Sequence, residues 1–143
     1  MTPLTWKLQL VVIPVSDVDR SKTFYIEQMG FNLDVDYSAG DDFRVVQLTP
    51  SGSSCSVTLT KNAVAAGSVN GLHLAVTDIE AAHAELTRRG ADPSAYFHFG
   101  EHGQTSGLHP DRADHGSFFS VADPDGTGWL VQEVNRPSTA NEI

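Results

Sequence analysis

Apolar residues in this chain fall into short runs and alternations that belong to strands, interrupted twice by a helical spacing. Leu8–Val15 is a β-rich apolar run, and Asp17 behind it is a good N-cap for a helix predicted over 18–29, which Gly30 stops. Val18, Phe24, Tyr25 and Met29 form one apolar stripe on that helix. Phe31, Leu33, Val35 and Tyr37 then alternate with polar residues, the pattern of a half-buried strand. Phe43–Leu48 and Ser54–Thr60 are predicted to pair across the turn Pro50-Ser51-Gly52. The same succession follows again: a strand at Gly71–Val76, a helix near 79–89 between Asp78 and Gly90, and strands near 94–99, 116–121 and 129–134. Gly100 to His115 reads as one long loop rich in glycine and histidine, a length that in compact domains is usually functional or disordered.

Two sequence echoes explain why the order repeats. Val15-Ser16-Asp17-Val18-Asp19 returns as Val76-Thr77-Asp78-Ile79-Glu80, 61 residues on. Thr49-Pro50-Ser51-Gly52 returns as Asp123-Pro124-Asp125-Gly126, 74 residues on. Two echoes in one order point to equivalent halves of strand, helix and three strands, about 6–60 and 70–135. Residues 61–69 between them are small and polar and read as a linker, and 136–143 as a C-terminal tail.

Composition narrows the function. A chain of 143 residues with 40% hydrophobic and 19% charged residues has the balance of one globular domain. Its net charge of −9 works against nucleic-acid phosphates and anionic membranes, so neither is expected as a partner. The single Cys55 cannot form an internal disulfide, and its strand parity with Val57 and Leu59 reads as core packing. Leu8–Val15 is too short to span a membrane and Met1–Lys7 is not a signal-peptide n-region, so a cytoplasmic protein is expected. No P-loop, Gly-x-Gly-x-x-Gly or Gly-x-Ser-x-Gly occurs. Asp123-Pro124-Asp125-Gly126 lacks the closing acid of a calcium loop, with Val134 in its place, and reads as a hairpin turn.

Two βαβββ halves, with Val-Ser-Asp-Val-Asp-Arg-Ser before Phe24-Tyr25 and Asp-Pro-Asp-Gly near the end, resemble the vicinal oxygen chelate superfamily. That superfamily includes glyoxalase I, extradiol dioxygenases, fosfomycin-modifying enzymes and bleomycin-binding resistance proteins. The resemblance covers about 6–135 and implies an α+β fold of two pseudo-symmetric βαβββ modules forming a cup-shaped sheet. It also implies a small-molecule site and a homodimer. Metal-bearing members take His, Gln or Glu ligands from four strand positions, two per half. Carried over from the motifs, these positions fall at Leu10, Gly71, Leu130 and either Ser56 or Thr58. Leucine and glycine offer no donor, and a hydroxyl alone anchors a divalent ion poorly. Glyoxalase I activity is therefore not expected, and neither is a cofactor.

Strand alternation then assigns the inner faces. Leu8, Leu10, Val12, Ala75, Leu130 and Val134 give a greasy lining, with His73 and Gln132 as polar anchors and Thr58 and Thr60 as hydroxyls. Such a lining suits a small apolar or aromatic molecule, bound for sequestration or for acid–base chemistry with His73 as the catalytic group. The alternative is a metal-dependent lyase or dioxygenase with displaced ligands, since His73 and Gln132 each lie two residues past a ligand position. Of the other histidines, His98, His102, His109 and His115 read as solvated loop residues, and His83 as an exposed or half-buried helix residue.

Overall fold

Both echoes are helix starts and hairpin turns. The Asp17 carboxylate accepts the Arg20 N–H at 3.1 Å and the Asp78 carboxylate accepts the Ala81 N–H at 3.0 Å, each closing a helix N-terminus. Between Pro50 and Ser53 the chain reverses through a hydrogen bond of 3.0 Å, with Gly52 at φ +86° where a side chain would be strained. Asp123 is the pivot of the second reversal, its buried carboxylate accepting the N–H groups of Asp125 and Thr127 at 2.9 Å. The acidic segment is a hairpin turn, as expected.

The computed structural model describes residues 4–136, in two compact units that divide between Ala66 and Gly67. The first contains β1 (Leu10–Val15), α1 (Val18–Thr23), β2 (Asn32–Ala39), β3 (Phe43–Thr49) and β4 (Ser56–Lys61). Its four-stranded sheet has the order β1-β4-β3-β2, with β1 parallel to β4 and the other neighbours antiparallel. Ile13, Val15, Val46, Leu48, Val57 and Leu59 are buried on one face of this sheet. Phe24, Tyr25, Met29 and Phe31 complete the core.

The second unit contains β5 (Leu72–Val76), α2 (Ile79–Arg88), β6 (Phe97–Gly100), β7 (Gly103–Ser106), β8 (Phe118–Ala122) and β9 (Gly128–Glu133). The order of its five-stranded sheet is β5-β9-β8-β6-β7, again with the first pair parallel. Phe119, Val121, Trp129 and Val131 are buried on the face that also carries Glu133, whose carboxylate accepts the first N–H of α2 at 3.1 Å. The fold is α+β.

Four local expectations are corrected. The first helix does not run regularly over 18–29: after Thr23 it widens into a π-helical turn, Phe24–Gln28, in which the Met29 N–H donates to the Phe24 carbonyl at 3.1 Å. β2 does not keep Leu33, Val35 and Tyr37 on one face. Leu33 pairs with Leu48 and Val35 with Gln47, so a bulge at Asp34 reverses the parity, and all three residues stay exposed. Leu8 precedes β1 and is 70% exposed, so it lines no strand face. The long loop is interrupted by β7, which forms a hairpin with β6, and His98 on β6 is buried rather than solvated.

Candidate functional site

Each sheet buries one face and leaves the other open, and parity decides which side chains reach the open side. On the first sheet Leu10 lies beside Ser56 and Val12 beside Thr58, on the parity opposite to the buried Ile13 and Leu59. Val35, Tyr37 and Phe43 extend this apolar face, each more than a third exposed. The Thr58 hydroxyl is buried with no hydrogen-bond partner among the described residues. It borders a cleft of about 640 Å³, whose lining includes Asp17, Asp19, Asp42, Arg44 and Lys61.

On the second sheet His73 lies beside Leu130 and Ala75 beside Gln132, opposite in parity to Trp129 and Val131. Val12 and His73 hold equivalent positions, 61 residues apart, so the register makes Thr58 rather than Ser56 the counterpart of Leu130. All four predicted residues of this half therefore share the open face. Phe118 and Ser120 join them from β8, since Phe118 pairs with Gln132 and Ser120 with Leu130.

Aromatic rings missed by the sequence reading dominate this face. Phe97 stacks on Phe118 with centroids 5.6 Å apart and planes at 11°, and Phe99 meets Phe118 edge-on at 5.4 Å. His73 closes on the same Phe118 ring edge-on at 6.5 Å. Phe118 is thereby buried on an open sheet face, while Phe99 stays 57% exposed. The signal was the alternation of Phe97 and Phe99, but only the pairing of β6 with β8 brings them to Phe118.

Hydrogen bonds fix the polar groups. His73 Nδ1 lies 2.7 Å from the Gly71 carbonyl, and a carbonyl only accepts, so Nδ1 is the donor of this bond. The Gln132 amide nitrogen donates to the His115 carbonyl at 2.9 Å, which fixes the orientation of its amide group. His115 is itself held by its N–H bond to the Glu133 carbonyl. Arg112 clamps the same loop, donating to both oxygens of the buried Glu133 carboxylate at 2.9 and 2.7 Å and to Glu80 at 3.0 Å. Burial opposes charge on Glu133, but the bonds from Arg112 and the Ile79 N–H outweigh it and hold the carboxyl below its ordinary range.

His98, His109 and His83 serve structure. His98 donates from Nδ1 to the Gly107 carbonyl at 2.8 Å and meets His109 edge-on at 5.8 Å. His109 Nδ1 accepts the Asp111 N–H, and His83 is half-buried against Phe119 with Nε2 on the Ser94 carbonyl. His102 and His115 are exposed. The superfamily metal set finds no fit in these residues, because Leu10, Gly71 and Leu130 have no donor atoms and Thr58 offers only a hydroxyl. Among the described residues no three His, Cys, Asp or Glu side chains converge as a metal would require.

Comparison with known proteins agrees with this architecture. Residues 7–131 match the family model described as the Glyoxalase/Bleomycin resistance protein/Dioxygenase superfamily. TnmS3, an antibiotic binding protein from Streptomyces sp. CB03234, is 28% identical, with a TM-score of 0.70 and coverage of 96% of this chain and 100% of that one. A glyoxalase/bleomycin resistance protein from the same organism is 29% identical, with a TM-score of 0.65 over 88% of this chain and 99% of that one. A superfamily member from Sphaerobacter thermophilus DSM 20745 shares the fold at 23% identity, with a TM-score of 0.67 over 90% of this chain and 97% of that one. Among curated proteins none matches.

Proposed function

The chain belongs to the glyoxalase/bleomycin resistance protein/dioxygenase superfamily, and from that premise we propose that it binds a small, largely apolar or aromatic molecule without a metal ion. The observation that carries this reading is the Phe97–Phe118–Phe99 cluster, open to solvent at Phe99, with His73 at its edge. A ligand ring laid on Phe99 would complete an aromatic stack and cover apolar surface, while His73 and Gln132 orient it. Ala75 and Leu130 complete that lining, and Leu10, Val12 and Thr58 supply the corresponding face of the first sheet. The antibiotic-binding relative supports small-molecule binding as the activity. Sequestration and acid–base chemistry at His73 both use this face. Homodimerisation, suggested by the superfamily resemblance, and a cytoplasmic location are part of the proposal. Among the described residues no helix is long and apolar enough to cross a membrane.

The test is calorimetric titration of the purified protein with a panel of antibiotics and of naphthalene, quinone and indole compounds. At least one aromatic compound is expected to bind. His73→Ala should weaken it several-fold, corresponding to about 0.5–1.5 kcal/mol for one lost hydrogen bond, whereas His109→Ala should have a smaller effect. Unchanged affinity and turnover in a folded His73→Ala protein would remove His73 from the site.

A further inference from the structure

Asn70 and Gly71 form the approach to β5, and the fold leaves both open to solvent. Gly71 has φ +80°, a conformation that a side chain would strain, so glycine is the residue this position needs. A Cβ there would meet nothing within 4 Å, so the space around the residue is empty. The Asn70 carboxamide rests against the start of β9, where its Oδ1 would lie 2.6 Å from a Cβ on Gly128. No hydrogen bond holds that carboxamide among the described residues. The other asparagines differ. Asn32, Asn62, Asn135 and Asn141 are each followed by a residue with a side chain, and Asn62 Oδ1 also accepts the Ala65 N–H at 3.1 Å.

An asparagine before glycine is open to attack by its neighbour's backbone nitrogen, because that neighbour has no side chain to crowd the approach. We infer that Asn70 is a modification site, converted without an enzyme into aspartyl and isoaspartyl forms. The Gly71 nitrogen bonds to the Asn70 Cγ, the Cγ–Nδ2 bond breaks, and ammonia leaves with the proton of the Gly71 nitrogen. The resulting five-membered imide takes up one water. Cleavage of the new Cγ–N bond gives aspartate, while cleavage of the original peptide bond gives isoaspartate and routes the main chain through Cγ. Either product adds a negative charge to a chain already at −9. The isoaspartyl form also lengthens the main chain by one carbon immediately before Gly71, whose carbonyl accepts from His73 Nδ1 at 2.7 Å. Conversion at Asn70 therefore moves the bond that holds the His73 ring, and no ligand is needed for it.

The experiment incubates the purified full chain in mildly acidic and mildly alkaline buffer, then locates amide-to-acid exchange at each asparagine by fragmentation mass spectrometry after acidic pepsin digestion. Loss of native Asn70 to two isomeric products is expected, faster in the alkaline buffer because the attacking nitrogen must give up its proton. Asn32 and Asn62 should stay intact over the same period. Asn70→Gln, whose longer side chain would have to close a six-membered ring, should show no comparable conversion at that position. In aged wild-type protein the ring NMR signal of His73, identified by its absence from His73→Ala, should divide into native and shifted peaks as the isoaspartyl form accumulates. An Asn70 that survives as long as Asn32 and Asn62 would overturn the modification site. A single unmoved His73 signal in extensively converted protein would overturn its effect on the ring.

Discussion

At residue scale, the part of this protein with the highest stakes is the ion pair under the loop that orients Gln132. Glu133 is 1% exposed, and the guanidinium of Arg112 meets both its oxygens. Removing one partner of a buried pair leaves the other charge uncompensated, which typically costs about 3–5 kcal/mol. Arg112→Met is therefore expected to lower the urea midpoint sharply, while Arg88→Met, which removes only a surface pair with Glu85, should lie within about 1 kcal/mol of wild type. Equal losses in the two variants would show that the Glu133 pair contributes no more than a surface one. Neither Arg112 nor Glu133 stood out in the sequence, because a charged residue 21 positions from its partner leaves no periodic trace. His73 and Gln132 did stand out, since strand parity alone puts them on one face. The proton position on His73 came only with the Gly71 carbonyl.

At the scale of elements, two glycines with similar positive φ differ in what surrounds them, Gly67 in the linker and Gly52 in a turn. Gly67 has φ +80°, and a Cβ there would lie 2.2 Å from the Asp125 carbonyl oxygen in the turn before β9. Gly52 has φ +86° in the turn before β4, but a Cβ there meets nothing within 4 Å. Gly52→Ala should cost only the left-handed strain, about 1–3 kcal/mol. Gly67→Ala adds a collision with backbone that must move, so it should destabilise clearly more than Gly52→Ala in parallel denaturant melts. Similar losses would mean that the turn shifts freely. The strand–helix–strand order and both N-caps were legible because capping aspartates and β-rich runs are local signals. The bulge at Asp34 and the β6–β7 hairpin were not, because each is decided by strand pairing and not by an apolar alternation in its own residues.

At the scale of the molecule, charge sets the acid limit and the metal question. Hydrogen bonds from Arg44 and Lys22 hold the Asp36 carboxyl down at about 2. A carboxyl lowered in the folded protein stabilises it above the unfolded value, about 3.9, and that stability is lost as pH falls through the folded one. Asp36→Asn is therefore expected to flatten the decline in melting temperature between about pH 4 and pH 2, and an unchanged acid profile would assign that decline to other carboxylates. The donor-poor positions Leu10, Gly71, Leu130 and Thr58 lead to a second expectation. Protein purified without tags or added metal should hold no stoichiometric zinc, nickel, iron or manganese by elemental analysis. Near-equimolar metal that disappears in His73→Ala would instead favour displaced ligands.

The sequence by itself determined what depends on neighbours within a few residues: the caps at Asp17 and Asp78, the turns at Gly52 and Gly126, the repeat that assigns the α+β class, and the parity that turns Leu10, Val12, His73 and Gln132 to open faces. Those features follow from backbone dihedrals and a period of two, and need no distant partner. Tertiary structure alone decided what lies across strands. It paired His73 with Leu130, brought Phe97 and Phe99 onto Phe118, and set Arg112 on Glu133. Register and long-range pairing are settled by which apolar face is buried, and a one-residue slip such as the one at Asp34 reverses every side chain beyond it.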